Sequence, residues 1–224
     1  TPPLFDTTSY WVSSLAGAPD LKITEIAQYS SGTGNTTPRP PYMTTGTYLA
    51  AEVSNLGSAQ ADMSGYRFNM EGYTYLNYTF SNGVTLDPGE AMILQFYGSG
   101  VEDPSNNYYV MSTSNYLGSG SAEGYYLQDS TGNTLDAVAT NGYNFSSGSG
   151  IDASEWSGSV SYSGGYAGII RQYSDNNTSS DWTVSYGPPQ QTLGSLNPTL
   201  SIGSGSLGCT SDRTEVIAYV TNIP

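Results

Sequence analysis

The amino-acid sequence predicts an all-β protein. Apolar and polar residues alternate with period two in run after run. Gly, Pro and Asn turn signals separate the runs, and no long stretch carries helical period. The 224 residues suffice for one sandwich-type β domain with additions, or for two small domains. A chain of this length can bury a sizeable core.

Residues 1–19 carry Pro2-Pro3 and then a small apolar run, in which 13–18 is the best helix candidate. Residues 30–47 are rich in Gly, Thr and Pro and read as a long loop. Leu49, Ala51 and Val53 then alternate with Tyr48, Ala50 and Glu52. Tyr66, Phe68 and Met70 alternate with Arg67, Asn69 and Glu71, the pattern of a half-buried strand. Asn82-Gly83 predicts a tight hairpin, because both residues tolerate positive φ. Asp87-Pro88-Gly89 sets a turn through the fixed φ of proline and the freedom of glycine. Met92, Leu94 and Phe96 lie opposite Ile93, Gln95 and Tyr97. Gly132-Asn133 joins residues 125–128 to 134–138 as a hairpin, where Leu135, Ala137 and Ala139 alternate with Asp136, Val138 and Thr140.

Residues 199–224 follow the Asn197-Pro198 break and end in a strand-like segment. Within it Glu215, Val216, Ile217, Ala218, Tyr219 and Val220 place apolar groups on both faces. Such a strand is normally covered on both sides. It is either a central strand of the chain's own sandwich or a strand that packs into a neighbouring subunit.

Only 11% of residues are charged, against a usual quarter. Ser, Thr, Asn, Gly and 20 Tyr supply the polarity instead, a balance common in extracellular surface and filament proteins. Nineteen acids face five bases, for a net charge of −14. Nucleic acids would be repelled, and anionic membranes are disfavoured as docking surfaces. Acidic surfaces suit cations and neutral glycans. No apolar run is long enough to span a bilayer, so membrane insertion is not expected. The chain starts at Thr1 rather than Met, as it would after removal of a signal peptide. Cys209 is the one cysteine, so it is either a small buried hydrophobe or the half of an intersubunit disulfide.

The order of motifs resembles the lamin tail domain, in the form found in secreted bacterial and archaeal proteins. Leu21-Lys22-Ile23-Thr24-Glu25-Ile26 is similar to the family's opening I-x-E-I strand. Ala51-Glu52-Val53-Ser54-Asn55-Leu56-Gly57 resembles W-V-E-L-x-N-x-G, and Met63-Ser64-Gly65-Tyr66 resembles L-S-G-W. Tyr78-Thr79-Phe80 through Leu86-Asp87-Pro88-Gly89-Glu90 is similar to F-P-x-G-x-x-L-x-P-G. Residues 127–136 resemble L-x-D-x-x-G-x-x-V-D. Arg171, Trp182 and then residues 192–198 resemble the closing R, W and T-P-G-x-x-N, with Leu193 where the family has proline. The resemblance spans about residues 20–198. It implies an immunoglobulin-like β-sandwich, with 1–19 and 199–224 as extra terminal segments, and it does not imply catalysis.

The residues themselves offer little chemistry. Without histidine, Ser–His, Cys–His and His–metal sites are excluded. No glycine-rich loop carries the lysine of a phosphate cradle. A carboxylate pair for glycoside hydrolysis needs only two acids, but nothing in the spacing nominates one. No cofactor is expected, calcium being the least improbable; the acidic loops that would take it are 87–90, 102–107 and 175–177. None of these matches a known calcium loop, and solvated turn residues are the simpler account. Asp129 and Asp136 read as turn and strand-end residues. Arg171 is expected in a buried or half-buried pairing with a carboxylate or carbonyl oxygens, and Trp182 as a cap on the core.

Asn35, Asn77, Asn144, Asn176 and Asn177 stand in N-x-S/T sequons, with Asn35 and Asn176 the best placed for glycosylation. The tyrosine clusters Tyr108-Tyr109, Tyr125-Tyr126 and Tyr162/Tyr166 read mostly as strand composition, with an adhesive or glycan-stacking role for some. Two functional expectations follow. The first is a non-catalytic extracellular structural protein, a self-assembling subunit of a surface filament, sheath or layer that exchanges terminal segments. The second is a secreted adhesin or glycan-binding module acting as a monomer.

Overall fold

A computed structural model describes residues 17–29, 48–72, 75–98, 100–111, 122–145, 151, 154–162, 168–172, 175–185 and 193–195. The helix candidate at 13–16, the loop at 30–47, Asn35, Cys209, Tyr166 and the strand-like segment at 215–223 lie outside the described residues; Gly17 and Ala18 are not helical.

Among the described residues twelve strands form three sheets. They are β1 (Leu21–Tyr29), β2 (Tyr48–Asn55), β3 (Ala61–Asp62), β4 (Arg67–Gly72), β5 (Leu76–Thr79) and β6 (Thr85–Leu86). Then come β7 (Ala91–Tyr97), β8 (Tyr108–Val110), β9 (Glu123–Gln128), β10 (Thr134–Thr140), β11 (Gly168–Arg171) and β12 (Trp182–Ser185). A six-stranded sheet runs β12-β11-β1-β2-β7-β8, and a four-stranded sheet runs β10-β9-β4-β5. Strands β3 and β6 form a small ribbon. All pairings are antiparallel except β7 with β8. The all-β, sandwich-like architecture expected from the sequence is the one observed.

The core lies between the two large sheets. Ile23, Val53, Met92, Leu94 and Phe96 of one sheet meet Phe68, Met70, Tyr125, Leu127 and Val138 of the other. Phe96 and Tyr125 are 5.8 Å apart, centroid to centroid. This is the apolar alternation of the sequence realised as one inner face per sheet.

The other face of the six-stranded sheet departs from the half-buried pattern. Ala27, Ala50, Ile93 and Tyr108 are buried there too, beneath Leu193. Every described residue from Leu49 to Asn55, and from Ala91 to Phe96, is therefore buried. Alternation alone does not register a second cover, because Ala, Ser and Glu read as polar or small whichever way they point.

Among the described residues three irregularities reset the register, one of them between Leu49 and Ala50 in the β2–β7 pairing. The β1–β2 pairing shifts between Ile23 and Glu25, so Thr24 is inserted. The β9–β10 pairing shifts between Thr134 and Asp136, so Leu135 is inserted. Beyond that bulge Asp136 and Val138 face inward. Asp136 is thus not a strand-end residue but a core residue in the third position of β10. The single face expected for Leu135, Ala137 and Ala139 is also corrected, since Leu135 is out of phase.

The turns are partly as expected. Glu90 N–H donates to the Asp87 carbonyl at 3.0 Å, and Gly89 takes φ +79°, so Pro88-Gly89 closes a type II turn. Gly132 N–H donates to Asp129, joining β9 to β10. Asn82-Gly83 is different. Only Gly83 has positive φ, and the turn carries the chain from β5, paired with β4, to β6, paired with β3. It is a link between sheets rather than a two-residue hairpin.

Asn55 ties three segments at the end of β2. Its amide donates to the carbonyls of Ala59 and Leu86, at 2.8 and 2.9 Å. Its Oδ1 accepts from the N–H groups of Asp20 and Gly57. Asn55→Ala removes all four bonds at a buried position and should lower unfolding stability by about 3 kcal/mol in urea titration. A loss below about 1 kcal/mol would show that water replaces the side chain.

Candidate functional site

Three clusters of polar and aromatic side chains stand out, and two of them are internal. The first is a polar centre between the sheets. Arg171 stands in β11 beside its register partner Trp182, its guanidinium carbon 4.8 Å from the centre of that ring. Its Nη2 donates to both carboxylate oxygens of Asp136, at 2.8 and 2.7 Å. Its Nη1 donates to Asp175 at 2.8 Å, and its Nε donates to the Ile23 carbonyl at 2.9 Å. Lys22 adds a second cation on Asp175 at 2.8 Å.

Burial opposes the Arg171 charge, but Asp136 and Asp175 more than offset it and hold its pKa above the ordinary value. Burial also raises the Asp136 carboxyl, while Arg171 pulls it back. Both side chains are fully buried. This is the carboxylate and carbonyl pairing expected for Arg171, and Trp182 joins the core as expected. The centre clamps β1, β10 and β11 together and offers nothing to a ligand.

The second cluster lies on the covered face of the six-stranded sheet. Glu25 and Glu52 are register partners across β1 and β2, and both are fully buried. Glu52 accepts from the Thr24 hydroxyl at 2.6 Å and from Gly194 N–H at 2.7 Å. Burial pushes its carboxyl up to about 7, with the Thr24 and Gly194 bonds pulling the other way. Sequence spacing did not nominate this pair of acids. Neither member reaches solvent, so the pair is a packing element under residues 193–195.

The third cluster is on the outer face of the four-stranded sheet. Gly124 of β9 leaves a bare patch on which the rings of Tyr143 and Phe145 rest; a Cβ there would come within 2.6 Å of both. Phe145 meets Tyr143 edge-on at 5.6 Å and Tyr126 at 6.0 Å. The Tyr143 hydroxyl bonds Glu71, the register partner of Gly124, and Tyr75 bonds Tyr126. Tyr75 is 64% exposed.

Of the tyrosine doublets of the sequence, Tyr126 contributes to this face from an almost buried position. Tyr108, Tyr109 and Tyr125 are core residues, Tyr126 is all but buried, and Tyr162 is half-buried. For Tyr108, Tyr109, Tyr125 and Tyr126 the strand-composition reading holds, since their strands bury both members of each doublet. The exposed ring is that of Tyr75, while Tyr143 and Phe145 are half-buried. The latter alternate just after β10, the signal that would have found them.

Among the described residues no group of acids is arranged to hold a metal ion. Glu90 accepts from Asp87 N–H and Asn107, and Asp103 from Ser105 and Asn106. Asp175 is committed to Lys22 and Arg171. Asp129 is the turn residue expected: the Thr131 hydroxyl and then Asn133 hold its carboxyl down to about 2. Of the sequons, Asn77, Asn144 and Asn176 are exposed. The Asn77 amide donates to Asn69, that of Asn176 to Asp181, and that of Asn177 to the Ser154 carbonyl. Among the described residues no helix is long and apolar enough to cross a membrane.

Two packed sheets around a single core define an immunoglobulin-like β-sandwich. The family model of the Lamin Tail Domain matches residues 15–144, and the chain belongs to that family. No curated protein matches the sequence. Strands β11 and β12 lie beyond the matched residues yet complete the six-stranded sheet, and they supply Arg171 to Asp136.

Proposed function

We propose that this lamin tail domain protein is a non-catalytic structural component of an extracellular surface, released after removal of a signal peptide and assembled with copies of itself. The observation that carries the reading is an open sheet edge. Among the described residues β5 pairs only with β4, and its Asn77 and Thr79 side chains point into solvent. Such an edge accepts a further strand. The apolar segment at 215–223 is the natural donor, and Cys209 is placed a few residues before it to lock two subunits. Low charge and a Ser/Thr/Asn-rich chain support the extracellular setting, and the exposed Asn144 is the best-placed glycan acceptor of the described sequons. The absence of histidine and the inaccessibility of Glu25 and Glu52 support a role without catalysis.

Negative-stain imaging and light scattering of the purified protein test the reading. Repeating assemblies are expected, and deletion of residues 214–224 or the edge charges Asn77→Lys with Thr79→Lys should leave monomer. Monodisperse wild-type protein would sink it. A second reading, a monomeric glycan-binding module, is favoured by the exposed Tyr75 and the half-buried Tyr143 and Phe145.

A further inference from the structure

We infer that the outer face of the four-stranded sheet holds a binding site for a neutral pyranose unit of a glycan, seated on Tyr75, Tyr143 and Phe145 beside Glu71. The inference rests on the second reading and gives it an address.

The face has been built rather than left over. Gly124 is the position at which a side chain would lift both rings off the sheet. The two rings brace each other edge to face, and Tyr126 braces Phe145 from below. The Tyr143 hydroxyl is pinned by Glu71. The rings are thus pre-organised, which lowers the ordering entropy a ligand must overcome. Tyr75 leaves most of its ring in water, an uncommon exposure for a large aromatic among the described residues. An aromatic face takes the C–H face of a sugar ring, and tyrosine offers that area with few rotamers to freeze.

The polar groups match hydroxyls better than charges. Glu71 is half-buried at this face, and its carboxylate takes the Tyr143 hydroxyl. Alongside runs a row of carboxamides. Asn77 donates to Asn69, and Asn69 donates to Gln128 at 3.2 Å. Amides donate and accept at once, as hydroxyl recognition requires. A polyanion is disfavoured by the carboxylate at the ledge and by the net charge of −14. An apolar stacking area beside a row of carboxamides is the chemistry of a neutral hexose or pentose.

The test is a printed array of neutral glycans, followed by affinity electrophoresis of the full chain in gels containing the best soluble polysaccharide from the array, with heparin gels alongside. At least one neutral glycan should bind, and heparin should not retard the protein. Tyr75→Ala should weaken binding at least tenfold with an unchanged unfolding transition, since that ring is mostly in solvent. Tyr143→Phe, which keeps the ring but frees Glu71, should weaken it several-fold. No binding on the array overturns both this site and the monomeric glycan-binding reading. Binding that survives Tyr75→Ala and Tyr143→Phe overturns the site alone. Retardation by heparin rather than by neutral glycan overturns the assignment of ligand class.

Discussion

The protein is expected to lose stability as pH rises from about 4.5 to 7, and Glu52 is the reason. Its carboxyl is fully buried on the covered face of the six-stranded sheet and is pushed up to about 7. In the unfolded chain it titrates near the ordinary glutamate value. Below about pH 4.5 both states hold the proton, and the buried neutral acid is fully tolerated. Between about 4.5 and 7 the unfolded state releases its proton while the folded state keeps it, so each pH unit weakens folding by about 1.4 kcal/mol. The accumulated loss is about 3 kcal/mol by pH 8. The chain has no histidine, so no imidazole titration overlays that window.

Urea titrations from pH 4.5 to 8 should show this fall. Glu52→Gln should flatten it. Its amide oxygen would still accept from Gly194 N–H, and its NH2 would donate to the Thr24 hydroxyl, so the variant keeps the local bonds without a charge to bury. A wild-type profile that is level across the window would mean that Glu52 is ionised in the fold, contrary to this expectation.

The second large effect is expected at Arg171. Arg171→Met leaves the Asp136 carboxylate in the core without either guanidinium bond, and Asp175 with Lys22 and the Asn177 N–H. Removing one partner of a buried pair costs about 3–5 kcal/mol, because the other charge stays desolvated. For a domain of this size that is a fall of about 10 °C in Tm. Arg171→Lys should be nearly as harmful, since a lysine cannot span Asp136, Asp175 and the Ile23 carbonyl or lie on the Trp182 ring. The pair of substitutions Arg171→Met with Asp136→Leu should recover most of the loss. A single Arg171→Met costing below about 1 kcal/mol would mean that water reaches Asp136.

Much of this was legible in the sequence. The alternation from Tyr48 to Val53 and from Met92 to Phe96 marks strands, and Asp87-Pro88-Gly89 and Gly132 mark turns, because both signals are local. Arg171 could be read as a buried partner because it is one of only five bases in so acidic and apolar a chain. The partner itself could not be read. Asp136 lies 35 positions away and is turned inward by a bulge at Leu135 that no residue type announces.

The sequence by itself determined that the chain forms sheets, that it lacks the groups for most chemistry, and to which family its motifs belong. Those properties are carried by residue type and short spacing. Only the tertiary structure decided which acids are buried, that Glu25 faces Glu52 beneath Leu193, and that the tyrosine doublets are core while Tyr75 meets solvent. The physical reason is that period two assigns a residue to one of two faces but not to water or protein. What covers each face is set by segments far apart in the chain, and the same side chain is cheap on one face and costly on the other.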